Sequence, residues 1–448
     1  MPDDIVGIVL DHPSGKLWWF ALAAALGLVG ILMIALGAVL YEGPGVWGNN
    51  IPVTWALDIV SYDWWIGIAS GGLLVSATLL LLGNSWRGAL NRIAETMALI
   101  AAAAASLYPI IHLGRPWFFY WNLPYPNTFQ LWPQFRSPLY VDAIDIISYL
   151  LVCLSFWYIG LIPDLATCRD RAIARAEASS EKNPAKLHLM KARLYGIFAL
   201  GWRGSTVHWQ RWSHITRIIA LCGIVLVVSL QTGASLLLSA SIEPGWHDTL
   251  APLAFLFSAV FAGVAMISVL VVLLRSVLPL RPYITVRHLD LLARMLLGLA
   301  LINLYCYGAQ FLTASQLGSD YDKGVMLRRF IGPNAWSTWI MIGCALVPVQ
   351  LFWMSPARRS AFLLFVIGML VSIGIWGDHF MLIVITLQQD FLPSAANSYS
   401  IDAWGILTFA GTVGLFLFLL LLAVRYLPIV SIHEVGRLRE PKESMRHV

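Results

Sequence analysis

Charge is scarce in this sequence. Asp, Glu, Lys and Arg make up 12% of its 448 residues, about half the density with which a soluble domain solvates its surface. Hydrophobic residues reach 59%, with a mean hydropathy of +0.74. A chain this apolar must turn most of its surface to lipid, which excludes a water-soluble globule. Cysteine is sparse and scattered: Cys153, Cys168, Cys222, Cys306 and Cys344 have no near neighbour of their kind. With no CxxC or CxxCH, the sequence argues against an internal iron–sulfur cluster, a zinc site or covalent haem. The N-terminus lacks the cationic region and small-residue cleavage site of a signal peptide. The net charge of +5 gives no reason to expect nucleic acid as a partner.

Long apolar runs are plentiful. The first, 17–40, exceeds the roughly 20 residues needed to cross a bilayer and reads as a retained helix. Nine more follow near 61–82, 93–112, 140–162, 213–239, 250–278, 289–315, 334–354, 360–387 and 403–428. A span must satisfy its own backbone in lipid, so each run is expected to be helical. The fold class is therefore all-α and polytopic, with about ten transmembrane helices. Placing the N-terminus inside puts 24 of the 29 Lys and Arg on one side, Arg217 at the inner end of the fifth helix included. The other five are Arg115, Arg136, Lys323, Arg328 and Arg329. The positive-inside rule then places both termini in the cytoplasm. The one large inner loop, 163–212, is basic and helix-prone, fit either to lie in water or lipid headgroups or to dock a partner.

Helices 3 and 7 echo one another. Each opens with Arg three residues before an acid: Arg92 and Glu95, Arg287 and Asp290. The helices before them carry small residues in mid-span, Gly67, Gly71, Gly72 and Ser76 against Ser258, Ala262 and Gly263. Gly67 and Gly71 form a GxxxG, which permits close helix contact. The echo suggests two four-helix bundles, helices 2–5 and 6–9. The chain divides accordingly: 1–60, first helix and outer loop; 61–239, first bundle; 250–387, second bundle; 403–448, tenth helix and cytoplasmic tail.

Ionisable residues within spans are costly and point to function. Asp63, His112, Asp142 and Asp145 fall in the outer half of the first bundle, and His247 and Asp248 just before helix 6. Asp378 and His379 lie in helix 9, and Glu95 and Asp290 near the inner surface. Helix 3 runs outward and helix 4 returns, so His112 and Asp142 share one level. Between them 115–136 is dense in aromatics, Trp117 among them, and reads either as an interfacial anchor or as the cover of a pocket. An amphipathic aromatic ligand such as a quinol suits the pocket. Its oxidation releases two protons, which a His beside a carboxylate can accept, and Arg115 stands ready to keep Asp142 ionised. Haem b would need two facing His at one depth; His112, His247 and His379 all lie toward the outer side, none deep in a span.

The stretches HLGRPWFFYW, LPYPNTFQLWPQFRSPL with Asp142 after it, IPVTWALDIV, WYIGLIPDLATCRDRA, GWHDTLAP, TVRHLDLLARM and LQQDFLPSA carry a resemblance over nearly the whole chain. The sequence resembles the NrfD/PsrC-like membrane subunit of bacterial alternative complex III. The resemblance implies two four-helix bundles plus two peripheral helices, and no haem, cluster or metal held by this chain. It implies a menaquinol or ubiquinol site near the periplasmic face at His112 and Asp142, with Asp63, Arg115, Trp117, Asp145 and Asp248 as quinol-binding candidates. Glu95, Asp290, Asp378 and His379 become proton-path candidates. Implied partners are c-type cytochrome subunits, a periplasmic iron–sulfur/molybdopterin-like subunit and a paralogous membrane subunit, in the bacterial cytoplasmic membrane. Two departures stand out. Helix 2 has Ser70 where the family carries His, and helix 9 reads Asp378-His379-Phe380 in place of Glu-Arg-Phe.

Three functions compete at this point. The chain reads first as a quinol-oxidising membrane subunit, possible proton translocation included. It reads second as a quinone-reducing anchor of a polysulfide-reductase-like complex. A secondary transporter would also show ten helices and internal repeats, yet paired Gly/Pro breaks in mid-span are lacking, Pro348 being the main exception.

Overall fold

A computed structural model describes residues 2–10, 15–84, 86–122, 138–180, 182–389, 391–392 and 394–437. All regular structure among them is helical, and ten helices are long and apolar enough to cross a membrane. We number these spans α1 (Lys16–Glu42), α2 (Leu57–Leu81), α3 (Arg87–His112), α4 (Pro138–Ala178), α5 (Thr206–Ser239), α6 (Ala251–Val277), α7 (Val286–Leu317), α8 (Trp336–Trp353), α9 (Ala361–Ile385) and α10 (Ala403–Tyr426).

Packing sorts the spans into groups. α2, α3, α4 and α5 pack on one another, as do α6, α7, α8 and α9, and one continuous apolar core runs through both sets. α1 and α10 pair with each other, and α10 leans on α2 and α3. The bundles meet where α2 crosses α6. Gly71 and Gly263 face each other there so closely that a β-carbon on Gly71 would collide with the Ala259 carbonyl oxygen and sit 2.8 Å from Gly263 Cα. Missing side chains thus let two backbones touch, the main route to helix association where lipid removes the hydrophobic drive. α2 is the central post, in contact with both bundles and with α10, and most of its side chains are buried.

Several boundaries depart from the apolar runs. α2 begins at Leu57, one turn before its run, and this brings Asp58 into the span. α4 continues past its run to Ala178, and Lys182–Phe198 forms a separate helix, so most of the basic inner loop is helical. α8 is irregular: a π-helical turn over Met341–Leu346 leads through Val347 into a 3-10 stretch begun by Pro348. α9 ends in a second π turn, Met381–Ile385. Met341 and Leu346 of the first pack on Met381 and Ile385 of the second. Single π turns inside α-helices often mark functional positions.

At the basic end, two short helices fold onto the spans. The Pro2–Leu10 helix buries Ile5, Val6 and Val9, and Lys191 and Arg425 donate to its last carbonyls. The Ile432–Arg437 helix closes over α3 and α4: Asp164 accepts from the Ile432 and His433 backbone N–H groups, and Glu434 pairs with Arg87.

Candidate functional site

The starts of α2 and α4 and the end of α3 assemble the site. α2 begins with Asp58, Tyr62 and Asp63; positions four apart lie on one helix face, so Asp58 and Tyr62 look the same way. The Asp58 carboxylate is buried. It accepts from the Ala56 N–H at 3.2 Å and bonds directly to His112 Nδ1. One turn on, the Tyr62 hydroxyl donates to Asp142 at 3.2 Å. His112, Asp142 and Asp63 line one cavity of about 230 Å³. Its walls are largely apolar, with Trp55, Ile59, Leu237 and Ile383 among them.

Several candidates are placed differently from the sequence reading. His112 takes Asp58, not Asp142, as its direct partner. Arg115 is exposed and makes no ion pair with Asp142; the Tyr62 hydroxyl, a neutral donor, is bonded to that carboxylate instead. Trp117 is 59% exposed, and Phe119 of the same 3-10 stretch lines the cavity instead. Three residues per turn put successive side chains on different sides, so one ring of that stretch can face inward while Trp117 faces out. The rest of the aromatic segment, 123–137, lies outside the described residues. Asp145 is half-buried near Gly233 of α5 and does not line the cavity. Asp248 belongs to the second bundle, because the loop before α6 folds over α7 and not over α3.

The second bundle holds its own polar cavities. Asp248, Ser258, Tyr307, Gln310, Asp378 and His379 line one of about 50 Å³. A neighbouring space of about 190 Å³, also touched by Asp248 and Gln310, opens along Asp322 and Arg329. Arg329 is 2% exposed and donates to the Gly245 carbonyl at 3.1 Å and to Thr386 Oγ1 at 3.0 Å. Burial pushes its guanidinium down to about 10, against the pull of Asp378 and Asp248, and it remains a cation at neutral pH. His379 is buried between the bundles with Nδ1 3.9 Å from Asp63 Oδ2. The two departures of the sequence are thus both polar and internal. Ser70, the other one, is buried and accepts from Gln231 Nε2 at 2.9 Å.

The inner candidates differ from each other. Glu95 is buried, taking hydrogen bonds from Ser76 at 2.8 Å and Arg92 at 3.0 Å. Arg92 also reaches Asp164 at 2.9 Å and the Gly160 carbonyl at 2.8 Å. Gly160 leaves room for that contact, since a β-carbon there would come within 2.7 Å of the guanidinium and oblige it to shift. Asp290 pairs instead with Arg358 at 2.9 Å and Arg294 at 2.6 Å, leaving Arg287 exposed. The sequence echo between helices 3 and 7 therefore does not extend to the pairing.

Sequence reasoning overlooked Asp58, Tyr62, Asp164 and Arg329. Asp58 and Asp164 each carried a signal, a lone carboxylate within an apolar stretch. Among the described residues no group of three or more His, Cys, Asp or Glu could hold a metal ion.

A ten-span helical protein with proton-accepting side chains in a membrane-embedded, apolar-walled cavity is a candidate for handling a lipophilic, protonatable ligand. The chain belongs to the NrfD, polysulphide reductase, family, whose pattern matches residues 45–393. It is also similar to a selenate reductase subunit of Mesobacillus selenatarsenatis, 23% identical over 431 residues, covering 93% of this chain and 95% of the relative. It is accordingly a multi-pass membrane protein of that family.

Proposed function

We propose that this chain is the quinol-oxidising membrane subunit of a multi-subunit bacterial reductase. The observation that carries the reading is the convergence of His112 and Asp142, each steadied by its own partner, on one apolar-walled cavity. A quinol presents two hydroxyls on opposite sides of an apolar ring, so two separate acceptors suit it better than one. Asp58 holds the Nδ1–H of His112, which leaves Nε2 as the acceptor facing outward from the pair. Tyr62 orients the Asp142 carboxylate as the second acceptor. Oxidation gives two protons, one to each, and two electrons, which pass to an iron–sulfur partner. Asp63 and His379 continue the polar line toward the second bundle and support a proton exit through Asp378.

The similarity to a selenate reductase component favours a polysulfide-reductase-like assembly, with an iron–sulfur/molybdopterin-like catalytic partner. Alternative complex III, with its c-type cytochromes and paralogous membrane subunit, rests on the sequence resemblance alone. In a complex that reduces an oxyanion, as the name of the selenate reductase relative describes, electrons flow from quinol to the catalytic subunit, and this favours quinol oxidation over quinone reduction here. The distribution of Lys and Arg supports cytoplasmic termini and a cavity toward the outer face.

Purification of the native assembly tests the reading. We expect redox subunits to co-purify and quinol analogues to reduce them. A chain that purifies alone and moves a solute across vesicles would overturn it in favour of transport.

A further inference from the structure

Toward the basic end of the first bundle, between the middle of α4 and the start of α5, lies a second cavity of about 230 Å³. Ile159, Ile162 and Ile215 form its apolar wall, at the boundary where the apolar runs of α4 and α5 begin or end. Trp202 and Trp212 frame it, and both are tied down. The Trp212 indole donates to the Ile159 carbonyl at 2.8 Å, and Arg169 donates to the Trp202 carbonyl at 3.1 Å. His208 and Arg211 complete the polar side.

Leu200, which also lines the cavity, has φ 47, a left-handed conformation that is rare for a residue with a β-carbon. Gly201 and Gly204 follow with φ 71 and 68, so the connection is a tight turn held against the membrane boundary. Leu200 is 67% exposed all the same. A strained turn that presents an apolar side chain outward, beside an apolar slot, fits a lipid chain.

The segment that forms its polar side carries charge of one sign. From Lys182 to Arg217 there are seven Lys and Arg and no Asp or Glu. Arg203 and Arg211 are exposed, and neither guanidinium makes a hydrogen bond or ion pair among the described residues. Two acids of α4 in this region are already engaged, Asp170 by Arg169 at 2.8 Å and Asp164 by Arg92 at 2.9 Å. Exposed Ile197, Phe198 and Leu200 continue the apolar side along the same segment. Unpaired cations beside an apolar slot at the bilayer boundary match both halves of an anionic phospholipid.

We infer that this cavity is a binding site for one anionic phospholipid of the inner leaflet, its phosphate held by Arg211 and Arg203 and its acyl chain laid along Ile159, Ile162 and Ile215. Tryptophan indoles at headgroup depth close the sides. The site is separate from the His112 cavity at the other end of the bundle, so its test does not depend on the redox reading.

Native mass spectrometry of the purified full-length assembly, exchanged into micelles holding equal phosphatidylglycerol and phosphatidylcholine, provides the test. Phosphatidylglycerol should be retained selectively. Each Arg near the surface contributes about fivefold in binding, so Arg203→Ala with Arg211→Ala should lower retention about thirtyfold. Arg203→Lys with Arg211→Lys should keep most of it. Ile215→Trp, which fills the slot without changing charge, should weaken it as well. Equal retention of the two lipids, or undiminished retention in the double-alanine variant, would overturn the inference. So would displacement by excess inorganic phosphate, which would reveal an anion site with no need of the acyl chain.

Discussion

Replacing Asp58 by Asn tests the proton-accepting role most directly. The carboxylate is 2% exposed, and its two partners are the Ala56 N–H and His112 Nδ1. Asparagine has the same shape, and its oxygen can still accept from Ala56, so the start of α2 should survive. What changes is the group facing His112. An amide NH₂ donates to Nδ1 and forces the imidazole proton onto Nε2, so the nitrogen left for substrate becomes a donor. Even if the amide oxygen faces the ring, the charge-assisted bond is lost, and such bonds are roughly twice as strong as neutral ones. Loss of a positioned proton acceptor lowers rates about 10²- to 10⁴-fold, or about 3 to 5 kcal/mol in barrier. The effect should fall on kcat, with KM changed little, because the cavity walls are untouched. Quinol-analogue oxidation by the assembled complex, with assembly checked by gel filtration, reads the outcome. Turnover within about threefold of wild type, far inside the range expected for a lost acceptor, would refute the role of the Asp58–His112 pair.

Two further predictions concern stability. Gly71→Val should destabilise the junction of the bundles by about 1 to 3 kcal/mol or more, since its first atom would strike backbone. Gly67→Ala should be close to neutral, because its β-carbon would meet Ala259 Cα at an ordinary 3.7 Å; equal thermal stability of both variants in detergent would show that the close contact does not matter. In the connection between α7 and α8, burial pushes the Asp322 carboxyl up. Hydrogen bonds from Ser319 and the Gly245 N–H, with His247 nearby, outweigh this and hold it below the ordinary value. A lowered folded value means that its contribution is complete above the unfolded value of about 4 and fades as pH falls through the folded one. Wild type should therefore lose more thermal stability than Asp322→Asn on acidification below about pH 5; parallel losses would count against it.

Much of this protein is legible in its sequence for a simple reason: a bilayer demands long apolar helices, and their lengths and flanking charges are linear properties of the chain. Ten spans, the candidate orientation and the small-residue stripe around Gly71 all follow from that. Partnerships among buried polar side chains are not linear. His112 and Asp142 were visible as isolated polar residues at the outer end of neighbouring helices. That Asp58 and Tyr62 are their partners depends on α2 starting one turn before its apolar run and on the rotation that turns one face toward α3 and α4. Asp248 was a quinol-binding candidate just before helix 6; the fold of the loop there sets it in a cavity with Gln310 and Arg329, apart from His112. The matched starts of helices 3 and 7 suggested equal pairings, yet Arg92 turns inward to Glu95 and Asp164, where Gly160 of α4 leaves room for its guanidinium, while Arg287 stays outside and Asp290 pairs with Arg294 and Arg358. Depth and periodicity are written in the order of residues, whereas the choice of partner is made by helix rotation and close approach, and those exist only once the bundles have packed.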